Sequence, residues 1–237
     1  MTTTEGLDQA LDALSGVRGR TIMSTSGERA ANAVREQVVE GLLRSGTRLP
    51  EERLGAAIGV SRNTLREALS QLVAERILVR EPNRGVVVAT PTPDDVRDIY
   101  CARRVIEPAV LQDGDLGDTE AVEAITRAVD EGRQAEARDD WDAVATANQH
   151  FHRAIVRLAR SPRLDSQMDL LLAEMRLVFH QMAGVRDFHA PYLRQNRSIA
   201  EAIAAGDQAG AAGELRQYLT AAEHQLLEAL GGAPAAT

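Results

Sequence analysis

Residues 47–88 read TRLPEERLGAAIGVSRNTLREALSQLVAERILVREPNRGVVV, and the rest of the chain is organised around this stretch. Apolar residues recur every three or four positions over 51–58 and again over 62–76, which predicts two helices that each bury one face. Gly59 and Ser61 lie between them, and Ser61 is a good N-terminal cap for the second helix. Two helices, a tight turn and a basic start to the second helix indicate a helix-turn-helix, whose second helix enters the DNA major groove.

A hairpin is predicted directly after the second helix. Aliphatic runs at 77–79 and 86–88 flank residues 81–85, which read EPNRG and have the composition of a turn. A hairpin in this position is the wing of a winged helix-turn-helix. The preceding segment 28–44 is amphipathic and is followed by Gly46, so we expect a helix there that packs on the other two.

Charge is distributed unevenly along the 237 residues, which include no lysine. The net charge is −8, but residues 25–90 hold ten arginines and eight glutamates, about +2, which leaves −10 for the remainder. A mildly basic head on an acidic body is compatible with local binding of DNA phosphates. We therefore do not take the acidic total as evidence against nucleic acid.

The sequence also argues against several classes of protein and of binding site. Cys101 is the single cysteine, so neither an internal disulfide framework nor a cysteine-based zinc site is expected. No apolar stretch is long enough for a signal peptide or a membrane span, which predicts a cytoplasmic protein. Motifs of hydrolases, phosphate-binding loops and metalloproteases are absent from the sequence, so we do not expect an enzyme.

From residue 94 onward the pattern is helical, and we expect helices at 94–112, 118–136, 139–160, 163–183, 188–205 and 208–230. The sequence predicts a mainly α fold, with an N-terminal winged helix-turn-helix and a C-terminal antiparallel bundle of six to seven helices. The predicted divisions are a flexible tail (1–24), a DNA-binding domain (25–90), a linker (91–96), a helical effector-binding and dimerisation domain (97–231) and a second flexible tail (232–237).

The first domain resembles the winged helix-turn-helix of GntR-type bacterial regulators. The matching residues are Leu49, Pro50, Glu52, Arg53, Leu54, Val60, Ser61, Arg62, Leu65, Arg66, Glu67, Ala68, Leu69, Leu72, Arg84 and Gly85. One departure is Arg76, where the family usually has glycine at the end of the recognition helix. A left-handed residue there would be less favourable for arginine than for glycine.

The resemblance implies which side chains contact DNA. Arg62 and Arg66 lie one turn apart near the start of the recognition helix, and arginine is the usual bidentate partner of guanine. Phosphates or bases nearby are expected partners for Arg53, Ser61, Asn63 and Thr64. At the wing tip, Arg84 and Gly85 are expected to enter a minor groove or follow the backbone.

The helical part resembles the ligand-binding domain of the FadR subgroup of these regulators. The resemblance rests on Tyr100, Arg103, Arg104, Ile106, Glu107 and Pro108, on Asn148, Phe151, His152, Arg153 and Ile155, and on 202–211. Many members of this subgroup hold a divalent metal, and the positions that match its ligands are Asn148, His152, Asn196 and Tyr218. Only His152 is a good ligand, and amide and phenol groups are poor ones, so we expect no metal or other cofactor.

A polar cavity is the expected alternative to a metal site, with Arg103, Asn148, His152, Asn196 and Tyr218 as candidate effector-binding residues. Arg103 matches an arginine that points into this cavity in the family, where it suits a carboxylate. The other interpretation is that Arg103 pairs with Glu107, four residues later. His180 either lines the cavity or is a core histidine.

The sequence thus predicts a DNA-binding transcriptional regulator, most simply a repressor, controlled by a small organic acid. One recognition helix reads few base pairs, so we expect a homodimer on a palindromic double-stranded operator. The alternative function is a metal-dependent sensor or enzyme built on the helical bundle, for which His152 is the weak candidate ligand.

Overall fold

The computed structural model describes residues 3–15, 26–182 and 185–231, and within these ranges the chain forms ten helices and three strands. The predicted fold class is confirmed: mainly α, with a winged helix-turn-helix first and a helical domain after it. The chain divides into two compact units. The first comprises residues up to Pro91 together with Arg176–Gln181, and the second comprises the remainder.

The first unit contains a small sheet that completes the helix-turn-helix. Its elements are α1 (Thr3–Ser15), α2 (Ser26–Val39), β1 (Arg48–Leu49), α3 (Glu51–Ile58), α4 (Arg62–Ala74), β2 (Leu78–Glu81) and β3 (Gly85–Val88). The wing strands pair antiparallel, from Leu78 opposite Val88 to Glu81 opposite Gly85, so the predicted hairpin is confirmed. The two residues of β1 add a third strand on β3, which the sequence analysis missed.

Helix α2 ends in a Schellman motif, earlier than expected. Gly41 has φ 77°, its amide donates to the Val38 carbonyl, and the Leu42 amide donates to the Gln37 carbonyl. The left-handed residue of this motif is usually glycine, because glycine has no Cβ. The prediction that this helix runs to residue 44 and ends at Gly46 was wrong, since Gly41 already stops it.

Helix α4 ends in the same motif with an arginine in the left-handed position. Arg76 has φ 58°, its amide donates to the Val73 carbonyl, and the Ile77 amide donates to the Leu72 carbonyl. A side chain with a Cβ costs roughly 1–2 kcal/mol in this region. Arg76 therefore takes the left-handed conformation that is unfavourable for arginine, and the helix still ends at this position.

The N-terminal helix α1 was not anticipated. Residues 1–24 were interpreted as a tail, yet Leu7, Ala10, Leu11 and Leu14 are buried in the first unit, where α1 packs on α3 and α2. Their spacing is that of one helical face, so the signal was present in the sequence. Residues 1–2 and 16–25 of the expected tail lie outside the described residues.

A short segment from later in the chain completes the first unit. Arg176–Gln181 covers the last turn of α8 (Pro162–Phe179) and the residues after it. The Ser45 hydroxyl donates to the Leu177 carbonyl at 3.0 Å, and Arg176 is buried so close to Gly41 that a Cβ there would lie 2.7 Å from its Nη2. The predicted contiguous domains did not include this segment.

His180 lies in the same segment and not with the candidate effector residues. Neither ring nitrogen of His180 has a hydrogen-bond partner among the described residues. Burial, together with the nearby positive charges of Arg176 and Arg44, lowers the pKa of His180 to about 3. His180 is therefore a neutral histidine that the folded protein does not protonate near neutral pH.

The second unit is a bundle of six helices: α5 (Pro93–Asp113), α6 (Thr119–Ala137), α7 (Trp141–Arg157), most of α8, α9 (Val185–Ala204) and α10 (Gln208–Ala229). Each predicted helix is present. Helix α5 begins at Pro93 with a capping box between Thr92 and Asp95, so most of the expected linker 91–96 is helical. The predicted tail 232–237 lies outside the described residues, and no helix among those described is both long and apolar enough to cross a membrane.

Replacing Arg76 tests the backbone strain at the end of α4. We expect Arg76→Gly to be more stable than Arg76→Ala by about 1 kcal/mol, after subtracting the greater freedom of glycine in the unfolded chain. Both variants remove the arginine side chain, so only the Cβ differs between them. Urea unfolding followed by circular dichroism measures the difference, and an alanine variant of equal stability would show that the position is unstrained.

His180 makes stability depend on pH. The pKa of His180 is about 3 in the folded state and near the ordinary value of about 6.5 when unfolded. Below about pH 6.5 the unfolded chain binds a proton that the folded chain does not, so stability falls as pH falls, by up to about 1.4 kcal/mol per pH unit. We expect His180→Gln to reduce the slope of the free energy of unfolding against pH between about pH 6 and 5. The reduction should equal the contribution of one bound proton.

The control for this experiment is His224→Gln, at an exposed histidine of α10. Urea unfolding at each pH gives the free energy of unfolding for the three proteins. The assignment is wrong if His180→Gln leaves the slope as steep as in the wild type, or flattens it no more than His224→Gln does.

Candidate DNA-binding surface and effector pocket

Ser61 positions the start of the recognition helix α4. Its hydroxyl accepts a hydrogen bond from the Thr64 amide at 3.2 Å and lies 2.9 Å from the Thr64 hydroxyl. This is N-terminal capping, which holds the first turn in place. The two hydroxyls predicted to contact DNA thus also have a structural role, while Asn63 is exposed.

The arginines predicted to meet DNA lie at the surface. Arg66 is exposed, and Arg62, whose side chain is 90% exposed, lies 3.6 Å from the Glu52 carboxylate. These arginines are four residues apart, so they project from the same face of α4. Arg53 on α3 forms a 2.5 Å ion pair with Asp8 of α1, and both side chains are 54% exposed.

The wing presents a further arginine. Arg84 forms a 2.5 Å ion pair with Glu81 across the turn, and Arg80 donates to the Ser70 hydroxyl at 3.3 Å. Gly85 follows with φ 81° and is exposed. All the predicted contacts on α3, α4 and the wing except Thr64 are therefore exposed, and Thr64 is half-buried.

The candidate effector residues meet inside the second unit in one hydrogen-bonded cluster, here called the polar centre. Its members come from four helices and are Arg103, Glu107, Asn148, His152, Asn196 and Tyr218, which are all buried. Arg103 Nε donates to Glu107 at 2.6 Å, and the other carboxylate oxygen lies 2.6 Å from His152 Nδ1. The Tyr218 hydroxyl links His152 Nε2 (3.1 Å) to the side-chain oxygen of Asn148 (2.9 Å).

The two sequence-based interpretations of Arg103 are partly combined in this geometry. Arg103 does pair with Glu107, but only through Nε, and its Nη2 is buried without a hydrogen-bond partner among the described residues. Its guanidinium also lies over the Tyr100 ring, 5.0 Å from the centroid. Nε of Arg103 therefore has a structural role, and Nη2 has no hydrogen-bond partner among the described residues.

Burial and charge determine the protonation of the polar centre. Burial alone would raise the pKa of Glu107, but the Arg103 guanidinium and the contact with His152 outweigh it, so the pKa is lowered. Burial lowers the pKa of His152, although Glu107 opposes the change. Burial raises the pKa of Tyr218 well above its usual value. The polar centre thus holds one cation, one anion, a neutral imidazole and a neutral phenol.

The hydroxyl and amide hydrogen bonds of the polar centre converge on Asn148. The Tyr218 hydroxyl donates to the Asn148 side-chain oxygen, and the Asn196 amide nitrogen donates to the same oxygen at 2.7 Å. That oxygen therefore accepts two hydrogen bonds, as many as its lone pairs allow.

Two buried atoms of the polar centre remain unpaired. They are the Asn196 side-chain oxygen, which is an acceptor, and Arg103 Nη2, which is a donor, and neither has a hydrogen-bond partner among the described residues. Buried polar groups of this kind are costly unless a ligand or water supplies the missing partner.

The donor set does not fit the divalent metal found in related domains. Both Glu107 oxygens are engaged, His152 Nε2 faces the Tyr218 phenol, and the remaining groups are amides. Over residues 3–15, 26–182 and 185–231, no group of three or more His, Cys, Asp or Glu is arranged to hold an ion. The expectation that the protein has no resident metal stays a prediction.

These features define a class of protein: a DNA-binding regulator with a winged helix-turn-helix and a separate helical domain that has a buried polar site. Residues 26–88 match the profile of bacterial regulatory proteins of the gntR family, and residues 98–221 match the FCD domain, which alone spans more than half of the chain. The chain belongs to the GntR family of transcriptional regulators and carries an FCD domain, which confirms the resemblance seen in the sequence.

Individual relatives agree with this assignment. A candidate GntR transcriptional regulator from Rhodococcus sp. RHA1 is 39% identical, and the match covers 87% of this chain and 99% of that one with a TM-score of 0.78. The gluconate operon transcriptional repressor of Bacillus licheniformis is 33% identical over 135 residues, which is 56% of this chain and 55% of the repressor. Escherichia coli McbR/YncC shares the fold at 20% identity and a TM-score of 0.73.

Some members of the site were not among the residues predicted for it. Glu107 links Arg103 to His152, and sequence reasoning considered it only as a competing partner for Arg103. Tyr100 and Tyr192 were also missed. The centroid of the Tyr192 ring lies 4.6 Å from the centroid of the Tyr218 ring. The spacing of Tyr100, Arg103 and Glu107 on one helical face was the available signal.

Proposed function

We propose that this regulator is a sequence-specific repressor whose operator binding is controlled by a small carboxylate bound at the polar centre. The observation that carries the proposal is the buried arginine with an unused nitrogen, in a protein whose recognition helix exposes two other arginines. Repression is supported by the names of relatives, two of which are gluconate operon repressors.

The chemistry of the unpaired atoms favours a hydroxy acid as the ligand. Arg103 Nη2 requires an acceptor, which a carboxylate oxygen supplies, and the Asn196 side-chain oxygen requires a donor, which a hydroxyl group supplies. Sugar acids and hydroxy acids carry both groups and are therefore the first candidates.

The geometry of DNA binding favours a homodimer. One recognition helix reads only a few base pairs, and two-fold symmetry places a second helix on the other half of a palindromic operator. The effector then acts if it binds the two arrangements of the recognition helices with different affinities.

Helix α8 contributes residues to both units. Its residues up to Met175 belong to the second unit, and from Arg176 they belong to the first. Within the first unit this last turn accepts a hydrogen bond from Ser45 and fills the space beside Gly41. A shift of α8 would therefore change contacts at the end of α2.

Arg66 tests sequence-specific binding. We expect Arg66→Ala to lose roughly 1–3 kcal/mol of operator binding and to relax the preference at one base pair, because a bidentate contact to a base is lost. The control is Arg133→Ala, at an exposed arginine of α6. Binding is measured at fixed salt on a duplex selected from random sequence, and an unchanged footprint and affinity for Arg66→Ala would refute the contact.

Arg103 tests the effector site. A sugar acid at 100 times its dissociation constant should stabilise the wild type by about 2.7 kcal/mol in a thermal-shift screen. We expect Arg103→Lys to lose this response, because lysine retains the charge beside Glu107 but not the second nitrogen. The control is Arg104→Lys, at the neighbouring residue that pairs with Glu223.

Two outcomes would contradict this assignment. A full response by Arg103→Lys means that the arginine is only structural. A response lost equally in both lysine variants means that the effect is not specific to the polar centre. DNA binding without ligand should be the same in all three proteins, since Arg103 and Arg104 both lie in the second unit.

A further inference from the structure

An acidic helix packs on the DNA-binding unit of this protein. The segment 3–15 that forms α1 holds Glu5, Asp8 and Asp12 and no basic residue. Its apolar face, with Ala10 and Leu14 fully buried, attaches it to the first unit, where it packs on α3. The helix is therefore part of the folded unit, and it brings negative charge to a surface that must accept a polyanion.

Asp8 is placed directly against a residue expected to contact DNA. Its carboxylate lies 2.5 Å from the Arg53 guanidinium. In a helix-turn-helix the first helix of the motif, here α3, crosses the DNA backbone, so a cation on it faces phosphates. A carboxylate and a phosphate oxygen are equivalent acceptors for a guanidinium, and Arg53 cannot give both the same nitrogens.

We propose that α1 competes with the DNA backbone for Arg53. Asp8 pairs with Arg53 in the free protein, and a DNA phosphate replaces Asp8 when DNA binds. The inference rests on the proposed function, because it requires DNA as the ligand of this surface. The pair is half exposed, so it is weak and readily exchanged. It therefore reduces the affinity for any duplex by a similar factor without preventing binding, because phosphate contacts do not depend on sequence.

The test compares two acidic residues on the same helix. Asp8→Asn removes the charge that pairs with Arg53, and Asp12→Asn removes an equal charge one turn later at an exposed position. Binding to random-sequence duplex at low salt should tighten about two- to fivefold in Asp8→Asn, which corresponds to the usual strength of an exposed ion pair. Asp12→Asn should show only the smaller, non-directional effect of the lost charge.

Arg53→Gln completes a double-mutant cycle. In the Arg53→Gln background, Asp8→Asn should have no more effect than Asp12→Asn, because the competing pair no longer exists. The inference is overturned if the two asparagine variants behave alike in the wild-type background. It is also overturned if Asp8→Asn weakens binding, since Asp8 would then position Arg53 for DNA.

Failure of the inference and failure of the proposed function give different results. If the wild type binds duplex DNA and Asp8→Asn matches Asp12→Asn, only the competitor role is wrong. If neither the wild type nor any variant binds duplex DNA, the DNA-binding assignment falls and this inference falls with it.

Discussion

The buried carboxylate of Glu107 is the constraint on which the site depends. It is fully buried and bonded to both Arg103 and His152, which come from two different helices. Removing one partner of such a buried pair typically costs about 3–5 kcal/mol, because an uncompensated charge remains. Glu107 therefore fixes α5 against α7, while burial, which outweighs Glu107, lowers the pKa of the histidine. The hydrogen bonds of Tyr218, Asn148 and Asn196 extend from this pair, and Arg103 Nη2 and the Asn196 side-chain oxygen remain without partners among the described residues.

Arginine–carboxylate pairs occur in two environments of this protein and have different consequences in each. On the first unit, Arg53, Arg62 and Arg84 each have a carboxylate nearby in an exposed setting, where water screens the attraction and another anion can take its place. In the polar centre the Arg103–Glu107 pair is excluded from water, so separating the two charges costs several kcal/mol. The exposed pairs are suited to a surface that exchanges partners with DNA. The buried pair occupies Nε of Arg103 and leaves Nη2 without a hydrogen-bond partner among the described residues.

The sequence was sufficient for the elements with strong local patterns. The helix-turn-helix, the wing and the six bundle helices were all predicted, because apolar periodicity and capping residues such as Ser61 act locally. The end of α2 was misplaced because two glycines were available and only the backbone reveals that Gly41 closes the motif. The role of Arg103 could not be settled for a different reason. A side chain with several nitrogens can serve both partners that the sequence offered, and only the geometry shows which nitrogen is used.

The discontinuous first unit explains why the domain boundary was the least predictable part of the fold. Helix α8 has a regular pattern throughout, and nothing local marks the change of unit at Arg176. Within the first unit, Ser45 donates to the Leu177 carbonyl, and the buried Arg176 lies against Gly41, the glycine that closes α2. These contacts support the end of α2, which packs on the recognition helix α4. A segment that is distant in the sequence therefore helps to hold the DNA-binding helices in place, and no local pattern within residues 25–90 could have predicted it.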